Sequence, residues 1–467
     1  MLKSFFPVVH LGDTTTTKTE GKSFMAEKLT IKEILLLGLT NFALYVGAGN
    51  IIFPPILGLQ AGTNVLPAAI GFLITGTGMV VIFAIAMARL GGSMDNLCTP
   101  IGKRAGFIMT AICFLCIGPL FAIPRTATVT YELSLKPFLP ADTNFLTILT
   151  LVYFAVALLF ALYPAKILDT VGKILSPIKI GALIFLCITA LILTPSEAPA
   201  PQATYETGAF AIGFVNGYLT LDALASLAFA IIIVNAITSR HVTQTRAITK
   251  YAIISGCIAG CGFIFIYACL FRLGNTADAL AHGATNGAEV LSAYVNYAFG
   301  SFGSIFLAIL ILFACLVTAI GLICACASYF SQVWPALKYR TLAVFFAVMS
   351  CAIANFGLTT LIQISVPALI TVYPVFIVLT MTSFIRDYFI KQSFVIAPTC
   401  VLALIFGLND GLEAAGFNIL PQVVKDHLLW YDDDLSWVLP CCMLLVVLVI
   451  IDRVLHKKQP ATPATTA

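Results

Sequence analysis

The feature that most restricts this chain is a succession of apolar segments, each long enough to cross a bilayer. A spanning helix needs roughly 20 mostly apolar residues. Twelve such segments follow one another, at about 33–57, 66–90, 106–132, 145–163, 174–194, 211–238, 247–273, 302–330, 339–356, 359–384, 393–410 and 436–455. Of the 467 residues, 60% are apolar and 10% are charged, whereas soluble domains run at about 45–50% and about 25%. A water-soluble molecule of this size could not hide that much apolar side chain. The expected fold class is an all-α polytopic membrane protein with the lipid bilayer as its solvent. A soluble enzyme, a disordered chain and a nucleic-acid binder acting through a basic patch are excluded.

The placement of charge orients the spans. With both termini cytoplasmic, twenty-one Lys and Arg fall inside, among them Lys103, Arg104, Lys179, Arg246 and Arg453. Lys136, Arg272 and Lys425 fall outside, and Arg125 lies within the membrane. An odd number of spans would scramble this alternation, so the bias supports twelve. Residues 1–26 are polar, with a Thr run from Thr14 to Thr17, and are expected to form a disordered cytoplasmic extension. Met25 opens the more coherent segment MAEKLTIKEILLLG and is an alternative start. Residues 458–467 read as a disordered tail, and no cleavable secretory signal is visible.

Five spans end near residue 194, a Pro-rich linker follows at 196–210, and five more run from 211 to 384. Five is odd, so the second set enters the membrane from the opposite side, the hydropathy signature of inverted repeats. Residues 27–195 and 211–384 are the expected repeats, with two further helices at 385–457. Each set opens with an interrupted helix. In the first, Val46-Gly47-Ala48-Gly49-Asn50 precedes Phe53-Pro54-Pro55. In the sixth, Asp222 lies within the apolar run, near Asn216, Thr220, Ser226 and Asn235. A broken helix in lipid leaves N–H and C=O groups unpaired, which is costly unless a ligand or buried protein satisfies them. Half-helix N-termini favour an anion and freed carbonyls a cation. Such paired breaks point to a transporter binding site. The bland alternatives are small-residue helix packing at the first break and, for Asp222, a cap on a half-helix near the interface.

Other polar residues say less. Arg125 either snorkels to the outer interface or forms a gate or structural pair with Glu132, seven residues on and roughly 10 Å away by helix rise. Cys113-x-x-Cys116 sits in an apolar helix without βαβ context and reads as core. The five His all fall in loops or tails, so a membrane metalloenzyme lacks its usual parts.

The segments VGAGNIIFPP (46–55), GLQAG (58–62), GPLFAIPRTATV (118–129), LYPAK (162–166), FVNGYLTLD (214–222), FRLG (271–274), NGA (286–288), CLVTAIGL (315–322) and LIQISVP (361–367) resemble the branched-chain amino acid:cation symporters, the LIV-II carriers of the BrnQ type. The resemblance covers roughly 27–455; the polar N-terminal extension departs from it. It implies a LeuT-like fold of five plus five inverted spans in a bacterial inner membrane. It also implies import of leucine, isoleucine and valine with a coupled cation, usually Na+, and no other cofactor. By that match the amides of Ala48 and Gly49, beside Asn50, face the substrate carboxylate. The carbonyls of Ala43 and Val46 face a sodium ion held with Thr318 and the carbonyls of Ala314 or Cys315. Ala319 stands where those symporters carry a second hydroxyl, and a back-bonded helix threonine is the alternative for Thr318. An apolar pocket is expected from spans 1, 3, 6 and 8, with Phe42, Tyr218, Phe229 and the polar Asp222 as candidates. A proton-coupled or exchanging permease of the same fold is the first rival reading. A polytopic membrane hydrolase or transferase is the second.

Overall fold

The computed structural model describes residues 28–140, 145–162, 179–238, 240, 242–421, 425, 427–431 and 433–455. The expected N-terminal extension at 1–26 and the tail at 458–467 lie outside them. The regular elements among the described residues are helical. Span 1 is two helices, Ile31–Tyr45 and Ala48–Ala61. Thr30 starts the first half with a capping box to Glu33, which satisfies amides that the helix itself leaves free. Span 2 runs from Val65 to Arg89 through a π segment, Ile74–Met79. Span 3 lies within Lys103–Phe138, span 4 is Leu146–Ala161 and span 5 is Lys179–Ile192. Span 6 is again two helices, Ala209–Tyr218 and Asp222–Thr238. Spans 7 to 12 are Thr245–Asn275, Gly287–Val333, Tyr339–Ala354, Leu358–Ile385, Gln392–Ala414 and Val438–Leu455.

Among the described residues, helices therefore stand at each of the twelve expected spans, and the two broken helices are those expected. Two features differ, in span 3 and at Lys179, while the short helix that the sequence suggests at 288–300, AEVLSAYVNYAFG, is present. Span 3 carries a break of its own at Gly118-Pro119, where Gly118 leaves helical geometry (φ −97°, ψ −127°). Proline removes an amide and crowds the preceding turn. A Cβ at Gly118 would also stand 2.5 Å from the Cys326 sulfur. Span 8 begins earlier than its apolar run. The polar segment before it is helical from Gly287 and turns into the membrane at Gly300 (φ +61°). Lys179, counted above among the cytoplasmic cations, opens span 5 and is buried, 8% exposed.

Backbones approach closely where spans 1 and 6 meet their neighbours. A Cβ at Gly274 of span 7 would lie 1.9 Å from the Pro55 carbonyl of span 1, and one at Gly58 of span 1 would lie 2.2 Å from the Phe271 carbonyl of span 7. Spans 2 and 6 interlock in the same way, Gly71 against the Phe210 carbonyl and Gly213 against the Ala68 carbonyl, each at 2.0 Å. In a five-plus-five repeat, the pair 1 and 7 corresponds to the pair 6 and 2. Both pairs are thus closed by reciprocal glycines, the small-residue packing that lipid, lacking a hydrophobic drive between helices, makes necessary. The linker ties neighbouring span ends together: Thr63 donates to the Pro199 carbonyl (3.1 Å), Gln202 to the Gln60 carbonyl (3.0 Å) and Ser196 to the Thr276 carbonyl (3.1 Å). Apolar side chains such as Leu66, Ile148, Ile192, Phe302 and Val446 remain exposed, as a lipid-facing surface requires.

Gly274→Ala is expected to lower thermal stability in detergent. The added methyl must push spans 1 and 7 apart, an overpacking cost of about 1–3 kcal/mol. Gly321→Ala, with no atom within 4 Å of the added carbon, is the control and should unfold with the wild type. Equal melting of all three proteins would show that the two spans are not in backbone contact.

Candidate functional site

Both breaks open on one cavity of about 50 Å3, with Tyr45, Gly47, Ala48, Gly49 and Asn50 on the side of span 1 and Thr220, Leu221, Asp222, Ala225 and Phe229 on that of span 6. Ile117, Ala122, Arg125 and Thr126 come from span 3, and Thr318 and Leu322 from span 8. At the first break Val46 is extended (φ −62°, ψ 103°), so the helix stops and a second begins at Ala48. The Asn50 carboxamide oxygen caps the new helix by accepting from the Gly47 amide at 2.7 Å. At the sixth, Leu221 adopts φ +65°. Left-handed backbone costs a non-glycine residue about 1–2 kcal/mol, and such strain gathers at binding sites.

One side chain ties the breaks together. The Asn50 amide nitrogen donates to the Asp222 carboxylate and to the Tyr267 hydroxyl of span 7 (2.6 Å). The Tyr267 hydroxyl in turn donates to Asp222 (3.2 Å). Asp222 is the first residue of its half-helix, where the helix dipole favours a negative charge. Its carboxylate accepts from the Asn50 and Tyr267 side chains rather than from a backbone amide, so it faces the cavity and is not the interfacial cap that the sequence left as an alternative.

Arg125 is 2% exposed. Its guanidinium donates to the Leu219 carbonyl at the sixth break and to the Ser365 hydroxyl of span 10 (3.2 Å), and it lies over the Phe53 ring at 5.0 Å. Its Nε is buried without a partner among the described residues. A Cβ built on Gly49 would lie 3.5 Å from Nη1, which places the charge beside the first half-helix N-terminus. The expected pairing with Glu132 does not occur. Glu132 sits two turns further along the chain and takes Lys136 at 2.7 Å instead, one turn beyond it.

The apolar candidates divide. Phe229 lines the cavity. Phe42 packs edge-on against Phe263 of span 7 (5.1 Å), and Tyr218 stacks on Tyr373 of span 10 (4.3 Å); neither is among the cavity-lining residues. Ile117, Ala122, Ala225 and Leu322 supply the apolar wall with Phe229.

The residues expected around a cation have an occupant from the protein itself. Nζ of Lys179 donates to the carbonyls of Val46 (2.8 Å) and Ala43 (3.1 Å). The Thr318 hydroxyl donates to the Ala314 carbonyl at 3.0 Å, the back-bonded form. Cys315 is buried on the same helix. Among the described residues no group of three His, Cys, Asp or Glu side chains could hold a metal ion. Cys113 donates to the Leu224 carbonyl at 3.5 Å, consistent with a core thiol.

Residues 30–455 match the family model described as branched-chain amino acid transport protein. The chain belongs to that family. Among its relatives, the branched-chain amino acid transport system 3 carrier protein of Pseudomonas aeruginosa is 49% identical, covering 91% of this chain and 97% of that one. The branched-chain amino acid permease BrnQ of Escherichia coli is 46% identical over 92% and 98%. The permease BraB of Bacillus subtilis is 40% identical over 89% and 94%. Among solved structures, the nucleobase-cation-symport-1 transporter Mhp1, closed with bromovinylhydantoin bound, matches with TM-score 0.58 at 14% identity over 92% of this chain and 94% of that one. MhsT in complex with L-phenylalanine matches with TM-score 0.50 at 16% identity over 91% and 98%. These two show the fold, the LeuT-like arrangement expected from the sequence. This family is one of transporters, so the membrane-enzyme reading is set aside.

Two site residues of this family member escape sequence reasoning. Tyr267 stands in an apolar run with nothing to set it apart. Lys179 does carry a signal, because it falls inside the apolar segment 174–194 rather than in a loop. A lysine at membrane depth is a functional candidate by default.

Proposed function

We propose that the protein imports leucine, isoleucine and valine across a bacterial inner membrane, with both termini cytoplasmic, by alternating access around the breaks of spans 1 and 6. The carrying observation is the cavity between those breaks, which holds one guanidinium, one carboxylate and an apolar wall. A zwitterionic amino acid with a branched aliphatic side chain is complementary to all three. Its carboxylate meets the Ala48 and Gly49 amides and the Arg125 charge, its ammonium meets Asp222, and its side chain meets Ile117, Ala225, Phe229 and Leu322. The names of the relatives support the substrate class, and the excess of cytoplasmic Lys and Arg supports the orientation. The five-plus-five repeats at 27–195 and 211–384 would rock against each other about this site. The coupled cation acts where the Ala43 and Val46 carbonyls converge. Sodium is the ion that the family resemblance suggests; the proton is favoured by the lysine that binds those carbonyls.

The test is exchange of labelled leucine by the purified protein in proteoliposomes. Isoleucine, an isomer of leucine, and valine, one methylene smaller, should compete within roughly 10- to 200-fold of leucine, since a methylene changes affinity only that much in an apolar pocket. Lysine and glutamate should not compete. Exchange that is absent, or is blocked equally by lysine, would refute the substrate assignment.

A further inference from the structure

A larger cavity, of about 470 Å3, opens where span 2 ends and span 7 begins, on the side read above as cytoplasmic. Three cations line it: Arg89, the last residue of span 2, and Arg246 and Lys250, one turn apart at the start of span 7. None of the three pairs with a carboxylate among the described residues, and no acid lines the cavity. Arg89 is steadied over the Phe384 ring of span 10 at 5.4 Å. Like charges gathered around one cavity repel, and an anion among them removes that cost. Thr245, the first residue of span 7, lines the cavity as well. No side chain among the described residues caps that helix, so the positive end of its dipole adds to the three charges. The rest of the cavity is apolar, Ile253 and Ile254. From Ile253 an exposed stripe continues along span 7 through Cys257, Cys261 and Ile264, the three-and-four spacing of one helix face. Ile253 to Ile264 rises roughly 16 Å, about half the thickness of the hydrocarbon core and hence the depth of one leaflet.

We propose that this cavity binds the headgroup phosphate of an anionic phospholipid, with one acyl chain laid along the stripe from Ile253 to Ile264. A free phosphate would use the cations and leave the apolar part without a partner. A zwitterionic lipid would use the apolar part, but its own ammonium cancels the phosphate that the cations require. An anionic phospholipid uses both. Basic pockets between spans at the cytoplasmic face take such headgroups, and each Lys or Arg near the membrane surface strengthens the attraction about fivefold. The choice of leaflet rests on the orientation proposed above; the pocket exists in either orientation. Its position bears on both breaks. Span 2 interlocks with the half-helix Ala209–Tyr218 through Gly71 and Gly213, and span 7 with Ala48–Ala61 through Gly58 and Gly274. Spans 2 and 7 also touch each other, where a Cβ at Gly260 would lie 3.1 Å from the Val81 side chain. A headgroup that bridges Arg89 to Arg246 and Lys250 therefore joins the two spans that hold the broken helices. Tyr251, next to Lys250, accepts from the Leu29 amide at 3.1 Å, which ties the entry of span 1 to the same corner.

The experiment uses the full chain, purified and delipidated in a neutral detergent, with bound lipid counted by native mass spectrometry. The probes are dioleoyl phosphatidylglycerol, dioleoyl phosphatidylcholine and inorganic phosphate. The wild type should take one phosphatidylglycerol at least tenfold more tightly than phosphatidylcholine. The triple variant Arg89→Gln, Arg246→Gln, Lys250→Gln should lose that preference. The double variant Lys103→Gln, Arg104→Gln removes two exposed cations that do not line the cavity and should bind as the wild type does. Equal affinity of the wild type for the two lipids would overturn the proposal. An equal loss in the double variant would overturn it too, by assigning the binding to diffuse surface charge. Displacement of the lipid by micromolar inorganic phosphate would make a soluble anion the occupant and would also overturn it. Should the triple variant misfold, the wild type alone decides. Phosphatidylglycerol with a photoreactive acyl chain, at one lipid per protein, should label residues within 253–265. Label spread over the lipid-facing sides of the other spans would overturn the site. Leucine transport is read in none of these measurements, so their outcome and that of the proposed function are separate.

Discussion

Gly49→Val is expected to abolish leucine uptake, at least 100-fold, while the variant still inserts into the membrane at the wild-type level. A single added carbon at Gly49 would lie 3.2 Å from the Thr220 carbonyl oxygen and 3.3 Å from the Thr220 Cα, both backbone atoms of the sixth break, and 3.5 Å from Arg125. Alanine would press the two breaks apart by a few tenths of an ångström. Valine adds two methyls on a stiff χ1 and has no space to place them except the cavity. It would fill the position where the substrate carboxylate is read by backbone amides. A loss in the chemistry of binding differs from a loss of fold. The variant should therefore elute as a monodisperse species in detergent and melt within a few degrees of the wild type. Gly321→Ala, in an open position of span 8, is the companion that should transport normally. Uptake by Gly49→Val within tenfold of wild type would remove the carboxylate site from the first break.

The first break was legible because its cause is local. Two glycines, an asparagine and two prolines within Gly47–Pro55 weaken a helix wherever it stands. The sixth break carries no such cluster. The sequence flags Asp222 as an acid at membrane depth, but the turn itself falls on Leu221, a residue disfavoured in the left-handed conformation it takes. Packing of four spans around the cavity imposes it, and no property of leucine announces it. The break in span 3 was within reach, because Gly-Pro is a turn signal, yet an apolar run around it reads as continuous helix. Phe42 and Tyr218 illustrate a different limit. Periodicity places an aromatic ring on a face, but which face meets the cavity depends on the rotation of each half-helix after the break. Phe42 turns toward span 7 and Tyr218 toward span 10. Lys179 shows the opposite. Its position within an apolar segment was sufficient, and the count of loop charges obscured it.

The second large effect concerns the link between the breaks. Asn50→Ala and Asp222→Ala should each reduce leucine uptake about 10- to 100-fold, equivalent to about 1.4–2.8 kcal/mol. The double variant should be little worse than either single one. Asn50 acts through both ends of one carboxamide: its oxygen caps the Gly47 amide in span 1, and its nitrogen holds Asp222 in span 6 and the Tyr267 hydroxyl in span 7. Hydrogen bonds to a charged partner contribute about 1.5–3 kcal/mol net. Removal of either partner leaves the other buried and short of a bond, so most of the cost is incurred with the first substitution. Groups in such contact show coupling energies of about 0.5–3 kcal/mol. Tyr267→Phe removes one hydroxyl from the same acceptor while the Asn50 link persists, so its loss should stay near 1 kcal/mol, about fivefold. Strict additivity of the Asn50 and Asp222 effects would mean that the two half-helices respond to substrate separately. Strong coupling instead makes the two breaks one moving unit, in which closing span 1 over a carboxylate necessarily repositions the strained turn at Leu221.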